Sequence, residues 1–371
     1  MGVRCSSLES MVIDKEFWGG KHVLITGHTG FKGGWLSLWL QSMGAQVSGY
    51  SLPAPTKPSL FEVGHVAERM HSHLGDVRNL PGLLAALKEE QPEVVFHLAA
   101  QPLVRHSYRE PVETYATNVM GTVNLLEAVR HSPTVRAVVI VTSDKCYENQ
   151  EWVWGYRETD ALGGHDPYSN SKGCAELVTA AYRNSFFSHS EYPKHRVAVA
   201  TTRAGNVIGG GDWAEDRLVP DIVRAFSNRQ PVIIRNPAAV RPWQHVLEPL
   251  AGYVALAEKL STQGSAWGEA WNFGPAESDT KPVQWIVEKM REVWGPGAAW
   301  EIDPKAHPHE ARHLRLDIAK VESRLGWRPR WNLELGLRKT VEWYQAYQNG
   351  SDMRAVSQAQ IGDYMVTTTK A

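Results

Sequence analysis

Cysteine is scarce in this chain: Cys5, Cys146 and Cys174 are the 3 among 371 residues. They cannot build a disulfide framework and their spacing matches no zinc signature, so a reduced, cytoplasmic setting is expected. Excess charge is also lacking. Lys+Arg 39 against Asp+Glu 40 excludes the basic surplus that a nucleic-acid or anionic-membrane partner demands. No apolar run reaches the roughly 18 residues needed to cross a bilayer, and the N-terminus lacks the apolar stretch of a secretory signal. Met1-Gly2-Val3-Arg4-Cys5-Ser6 fits the loose myristoylation pattern, although an unstructured leader accounts for it more simply.

What is present is a well-supplied core, with 15 Trp and 31 Gly, and a β-α alternation through the first half. Short apolar runs at 21–26, 45–50, 69–74, 93–98, 135–141 and 197–202 read as strands. Helical periodicity at 31–43, 79–90, 111–131 and 167–187 separates them. Apolar strands without alternation indicate a parallel sheet covered on both faces, so the predicted class is a doubly wound α/β fold. After Arg203 the rhythm weakens, and helices near 217–229, 246–260, 282–294, 317–325 and 333–348 are read as a smaller mixed α/β lobe closing over a ligand. The predicted division is 14–203, with returning segments near 244–274, for the first domain. The lobe takes 204–243 and 275–350, and 1–13 and 351–371 are polar, aperiodic tails.

Glycines 27, 30 and 33 join the first strand to the first helix in the pattern G-x-x-G-x-x-G. Such glycines let backbone N–H groups approach a pyrophosphate at a helix N-terminus. The second strand ends Gly49-Tyr50-Ser51 with no acid before Glu62, which leaves NAD against NADP open. Asp76 after the third strand is either a carboxylate beside an adenine or a helix cap. Small residues at Leu98-Ala99-Ala100 leave room for a cofactor across the sheet edge.

Tyr168 and Lys172 lie four apart on one helix face, where a positive charge and the helix N-terminus are expected to lower the phenol pKa toward a general base. The fifth strand ends Thr142-Ser143-Asp144-Lys145, at the strand C-termini where parallel sheets bind ligands. A hydroxyl there, Ser143, can hydrogen-bond a reacting oxygen, and an adjacent Asp and Lys are hard to explain as packing.

Together the glycine loop, Tyr168/Lys172 and Ser143 resemble the extended short-chain dehydrogenase/reductase family. Thr142-Ser-Asp-Lys145 narrows the resemblance to its nucleotide-sugar 4,6-dehydratases, over roughly residues 14–348. Most of those carry Glu after the Asp. Lys145 departs from this and resembles the branch acting on CDP-glucose, as do Arg203–Trp213, Asp216–Asp221 and Arg241–Pro249.

The resemblance implies a Rossmann-type fold with bound NAD, held by Gly27, Thr29, Gly30, Phe31, Lys32, Gly33, Asp76, Val77, Leu98, Ala99, Ala100, Thr117, Tyr168 and Lys172. It also implies a nucleotide-sugar substrate gripped by Gln101, Asn206, Arg217, Leu218, Arg235 and Arg241, no metal, and a homodimer or homotetramer. In the implied reaction Tyr168, Lys172 and Ser143 act at C4. Asp144 is the acid at C6, with a pKa raised by desolvation. Lys145 acts at C5, either as a base made neutral by burial and by Lys172, or as a cation facing an enolate. Asn118 either supports Lys172 or is an ordinary helix residue, and His97 is structural. An epimerase or an NADP-linked reductase of the same superfamily is the alternative, and a catalytically dead dinucleotide-binding regulator would need none of the triad.

Overall fold

A computed structural model describes residues 13–304 and 313–367; Cys5 and the myristoylation-like leader lie outside them. Seven strands form one fully parallel sheet: β1 (His22–Thr26), β2 (Gln46–Ser51), β3 (Met70–Leu74), β4 (Val94–His97), β5 (Ala137–Val141), β6 (Ala198–Ala204) and β7 (Ala270–Phe273). The order across the sheet is β7-β6-β5-β4-β1-β2-β3, so the chain reverses direction between β1 and β4. That crevice, outside the strand C-termini, is where a doubly wound sheet binds its ligand. The strand burial patterns explain the missing alternation, because Val94–His97 and Ala137–Val141 are buried at every position.

Helix α1 (Phe31–Ser42) follows the glycine loop and buries Trp35, Leu36, Leu38, Trp39 and Leu40. Each such side chain contributes roughly 1.5–3 kcal/mol of apolar burial. The predicted 111–131 helix is continuous but not uniform, running through Pro111–Tyr115, a π-helical turn Ala116–Met120 and Gly121–Arg130. Helix α2 (Pro167–Ser185) starts with Asp166 as N-cap, its carboxylate accepting from Ser169 N at 2.9 Å.

Beyond β6 come α3 (Leu218–Ser227), α4 (Leu247–Gln263), α5 (Val283–Trp294) and α6 (Leu333–Gln348), with two-stranded pairs at 231–234/299–302 and 240–242/280–282. Helix α4 packs under β5 and β6, and β7 extends the main sheet beside β6. Trp35 ties the two parts together, its indole N–H donating to the Gly210 carbonyl at 2.8 Å. A Cβ on Gly210 would meet Trp343 at 2.0 Å.

The segment past Gly350 departs from its aperiodic sequence. Residues Met353–Val366 form α7, capped by Asp352, with Met353, Ile361 and Tyr364 buried. Its inward residues are Ser357 and Gln360 as well as the apolar ones. The periodicity is therefore invisible to a hydrophobic count, and Tyr364 is fixed by a hydrogen bond to the buried Glu248 at 2.8 Å.

Candidate active site

The glycine loop is built as its spacing predicts. Gly27 takes φ +78, and a Cβ there would stand 2.7 Å from Ala99 N. On Gly33 it would stand 2.1 Å from Gly27 O, so the helix cannot approach the strand with any other residue. Gly30 is the N-cap of α1 without a side-chain cap bond, leaving the first-turn N–H groups and the dipole to an anion. Thr29 pins the loop to the end of β2 through Ser51 Oγ (2.8 Å) and Leu52 O (2.9 Å). These features form a backbone cradle that fits a dinucleotide diphosphate. Asp76 holds Arg78 through contacts of 2.5–3.0 Å, and this bond, ahead of a counteracting burial effect, keeps its carboxyl below the usual range. Arg78, absent from the sequence reading, is therefore fixed against Asp76 in the loop after β3. Val77 is buried and Thr117 half-buried within the π-helical turn.

The strand end of β5 and the first turn of α2 meet above this cradle. Ser143 Oγ donates to Asp144 Oδ1 at 3.0 Å and accepts from Lys145 N at 3.2 Å. Asp144 is 2% exposed, and its Oδ2 is buried without a hydrogen-bond partner among the described residues. Burial pushes the Asp144 pKa up. The Lys145 ammonium, the Ser143 bond and the charges of Arg241 and Lys32 pull the other way without overcoming it. A carboxyl poised to be neutral, with one bare oxygen, is equipped to give up a proton. Lys145 is partly buried, its Nζ lying 6.0 Å from the Tyr168 ring centroid.

Lys172 donates to the Val141 carbonyl at 3.2 Å, and burial brings its pKa down to about 8 against the pull of Glu176. The expected lowering of the Tyr168 pKa is not found in the protein alone. Burial dominates and pushes it up to about 12, a Ser143 hydrogen bond and the Arg217 charge opposing only partly. The sequence argument missed that the tyrosine is dry before it is charged. His97 sits between Thr26 (2.7 Å) and Thr122 (3.3 Å) and is held neutral by burial, its pKa lowered to about 3, as a structural residue should be.

Asn118 donates to Ser171 Oγ (2.8 Å) and to the Gln101 carbonyl (3.1 Å), and accepts from Gln101 N (2.8 Å). It ties the loop after β4 to the residue beside Lys172. The Gln101 side chain donates to Thr114 Oγ1 (2.9 Å) and accepts from Leu103 N (2.6 Å), which fixes the loop after β4. Arg217 caps the start of α3 ahead of Leu218 and pairs with Asp212 at 2.8 Å. Arg235 faces Asp216 at 3.6 Å, and Arg241 comes close enough to act on Asp144. Asn206 is half-buried between β6 and the lobe, its carbonyl accepting from Gln244 N at 3.0 Å.

Sequence reasoning missed several groups here. Ser107 accepts from Tyr168 N at 3.1 Å, Arg105 pairs with Asp216 at 2.9 Å, and beneath the strand end Glu176 binds Arg203 at 2.9 Å. Glu176 lies four residues after Lys172 on the same helix, and that spacing was the available signal.

The family model for GDP-mannose 4,6-dehydratase matches residues 24–340. CDP-glucose 4,6-dehydratase of Salmonella typhimurium is 58% identical over 97% of this chain and 100% of that protein. The chain belongs to the nucleotide-sugar 4,6-dehydratase family. Among solved structures, the dTDP-glucose 4,6-dehydratase DesIV of Streptomyces venezuelae, with NAD bound, superposes with TM-score 0.75 at 23% identity, covering 90% of this chain and 99% of that one. The dTDP-glucose 4,6-dehydratase of Bacillus anthracis, in complex with NAD, gives TM-score 0.72 at 24% identity over 90% and 100%. The Rossmann-type fold thus agrees with the cradle, and both of those solved dehydratases hold NAD. No helix among the described residues is long and apolar enough to cross a membrane.

Proposed function

We propose that this dehydratase converts CDP-D-glucose to CDP-4-keto-6-deoxy-D-glucose, and that Ser143, Asp144, Lys145, Tyr168 and Lys172 carry out the reaction. The bare, buried Oδ2 of Asp144 beside Tyr168 supports this reading more than any other observation, because an epimerase or a reductase has no leaving hydroxyl to protonate. The identity with the Salmonella enzyme supports cytosine as the base.

The glycine cradle would hold NAD, which would supply a hydride acceptor for C4 and a hydride donor for C6, and its positive charge would favour the Tyr168 phenolate. Tyr168 takes the proton of the 4-hydroxyl, and Ser143 holds the same oxygen. Lys172 keeps the phenolate company. Once C4 is a ketone, the C5 proton is acidic, and Asp144 protonates the C6 hydroxyl so that it leaves as water. Lys145 serves C5, as an amine that removes the proton or as a cation that holds the enolate. Lys145→Arg separates the two, keeping activity only in the second case. Arg217, Arg235 and Arg241 offer guanidinium forks for the substrate's diphosphate.

The enzyme acts in the cytoplasm as a homodimer or homotetramer. Tyr108, Val112, Met120 and Leu177, all exposed on neighbouring helices, supply an apolar face for such pairing. Its product belongs to deoxysugar biosynthesis. Incubation with CDP-, UDP-, GDP- and dTDP-glucose, followed by mass spectrometry, tests the reading. Loss of one water from CDP-glucose is expected, and no loss from any donor overturns it.

A further inference from the structure

We propose that Tyr147 is a positioning residue: with Arg203 and Glu176 it clamps the turn that carries Asp144 and Lys145, and so governs water elimination separately from oxidation at C4. The inference rests on the residue roles given above. The turn is a short 3₁₀ segment, Asp144–Cys146, that leaves the end of β5 and passes into extended chain at Tyr147. Its own backbone bonds are long, Cys146 N to Ser143 O at 3.3 Å and Tyr147 N to Asp144 O at 3.5 Å. A turn so weakly closed takes its shape from outside.

Two anchors supply it. Ahead of the turn, Thr142 Oγ1 donates to Glu176 Oε1 at 2.5 Å. Behind it, Tyr147 accepts from Arg203 Nη1 at 2.8 Å and donates to Asn272 Oδ1 of β7 at 2.7 Å. Arg203 and Glu176 are paired at 2.9 Å, so one buried ion pair holds both ends of residues 142–147. Between the anchors, the Cys146 carbonyl accepts from Gly163 N at 2.8 Å. A Cβ on Gly173 would stand 3.2 Å from that carbonyl, so the turn lies against α2 one residue past Lys172. The Tyr147 ring stacks on Tyr156 with centroids 5.2 Å apart, and its side chain is buried. Packing uses the ring, whereas the hydroxyl is what ties the turn to Arg203 and β7.

The two ends of the turn serve different steps. Ser143, next to Thr142, acts where the 4-hydroxyl gives its proton to Tyr168 and C4 gives a hydride to the nicotinamide. Asp144 and Lys145, toward Tyr147, act when the C5 proton and the C6 hydroxyl are lost as water. The hydride then returns to C6 and a proton to C5. Releasing the Tyr147 end therefore displaces the groups of elimination and leaves those of oxidation in place, and a misplacement of about 1 Å costs about 100-fold in rate.

The experiment mixes NAD-loaded wild type, Tyr147→Phe, Arg203→Lys and Thr142→Val with CDP-glucose. Absorbance of the reduced nicotinamide is followed beside water loss by quenched-flow mass spectrometry, with rates counted per bound NAD and thermal unfolding recorded for each protein. Tyr147→Phe keeps the stacked ring, and Arg203 retains Glu176 and the Glu158 carbonyl at 3.1 Å. It is expected to lose water about 10–100-fold more slowly while oxidising C4 within about threefold of wild type, so that reduced nicotinamide accumulates. Arg203→Lys keeps a cation against Glu176 and gives up the second arm of the fork. It is expected to show the same accumulation, which tests the clamp should Tyr147→Phe fold poorly. Thr142→Val, loosened beside Ser143, is expected to slow oxidation as well and to accumulate none. Near-normal water loss in folded Tyr147→Phe overturns the proposal. So does equal slowing of both steps without accumulation in Tyr147→Phe and Arg203→Lys, the mark of a residue that only supports the fold. A wild type that takes no water from CDP-glucose overturns the substrate reading instead, and the rates are then compared on whichever nucleotide-glucose it does dehydrate.

Discussion

The floor beneath the C-terminal end of β5 and the cleft above it hold two buried carboxylates in opposite conditions. Below, Glu176 accepts from Thr142 Oγ1 (2.5 Å), Thr201 Oγ1 (2.7 Å) and Arg203 (2.9 Å). Burial pushes its pKa up, but the Arg203 charge and these bonds outweigh it and hold it low. Above, Asp144 has Ser143 on one oxygen and no described residue on the other, and burial wins. Equal burial therefore gives an ion pair that fixes the strand end and an acid that can react. The partners decide which.

The floor is where substitution should damage the fold most. Glu176→Ala leaves the Arg203 guanidinium, 3% exposed, buried without its counter-ion, and a loss of about 3–5 kcal/mol is expected in denaturant unfolding. A loss under about 1 kcal/mol would erase the distinction between floor and cleft.

A third buried carboxylate sharpens the contrast. Glu248 accepts from Trp331 N (2.7 Å), Arg330 N (3.1 Å) and Tyr364 OH (2.8 Å), yet burial still raises it to about 7. These hydrogen bonds and the weaker pull of the Arg330 charge do not overcome desolvation as Arg203 does for Glu176. The native state thus keeps a proton that the unfolded chain releases near its ordinary pKa of 4.5. Stability contributed by this group is full below about 4.5 and falls as pH rises to about 7. The fall amounts to roughly 3 kcal/mol at 1.36 kcal/mol per unit. Glu248→Gln should flatten that part of the stability profile, read by thermal unfolding from pH 4 to 8, although Glu258, raised to about 7 by burial, keeps part of it.

The smallest effect belongs to the exposed rim. Arg105, beyond β4, and Asp216, just ahead of α3, meet at 2.9 Å, but their side chains are 47% and 36% exposed. Arg105→Ala should cost at most about 1 kcal/mol of stability, and a denaturant midpoint matching that of Glu176→Ala would show the rim to be structural.

Much of this was legible beforehand because it follows from spacing. The glycines 27, 30 and 33 sit where only glycine fits, Asp166-Pro167 starts α2, and Tyr168 and Lys172 share its face. What was hidden depends on contacts distant in sequence. Glu176 meets Arg203 only because β6 lies beside β5, and α7 is held by Glu248, more than a hundred residues before it. The Tyr168 pKa was misjudged because four-residue spacing reports a neighbouring charge and says nothing of burial. Gln101 was named as a substrate contact by resemblance alone, whereas the loop turns its amide inward to Thr114.

Asp144→Asn, assayed with CDP-glucose beside wild type, tests the central claim most directly. It keeps the size of the side chain and removes the proton to be given. The expected result is an unfolding midpoint close to wild type and dehydration slowed by about 10²–10⁴-fold, measured as loss of water by mass spectrometry. Water loss at a near-normal rate would contradict the assignment of the bare oxygen as the acid.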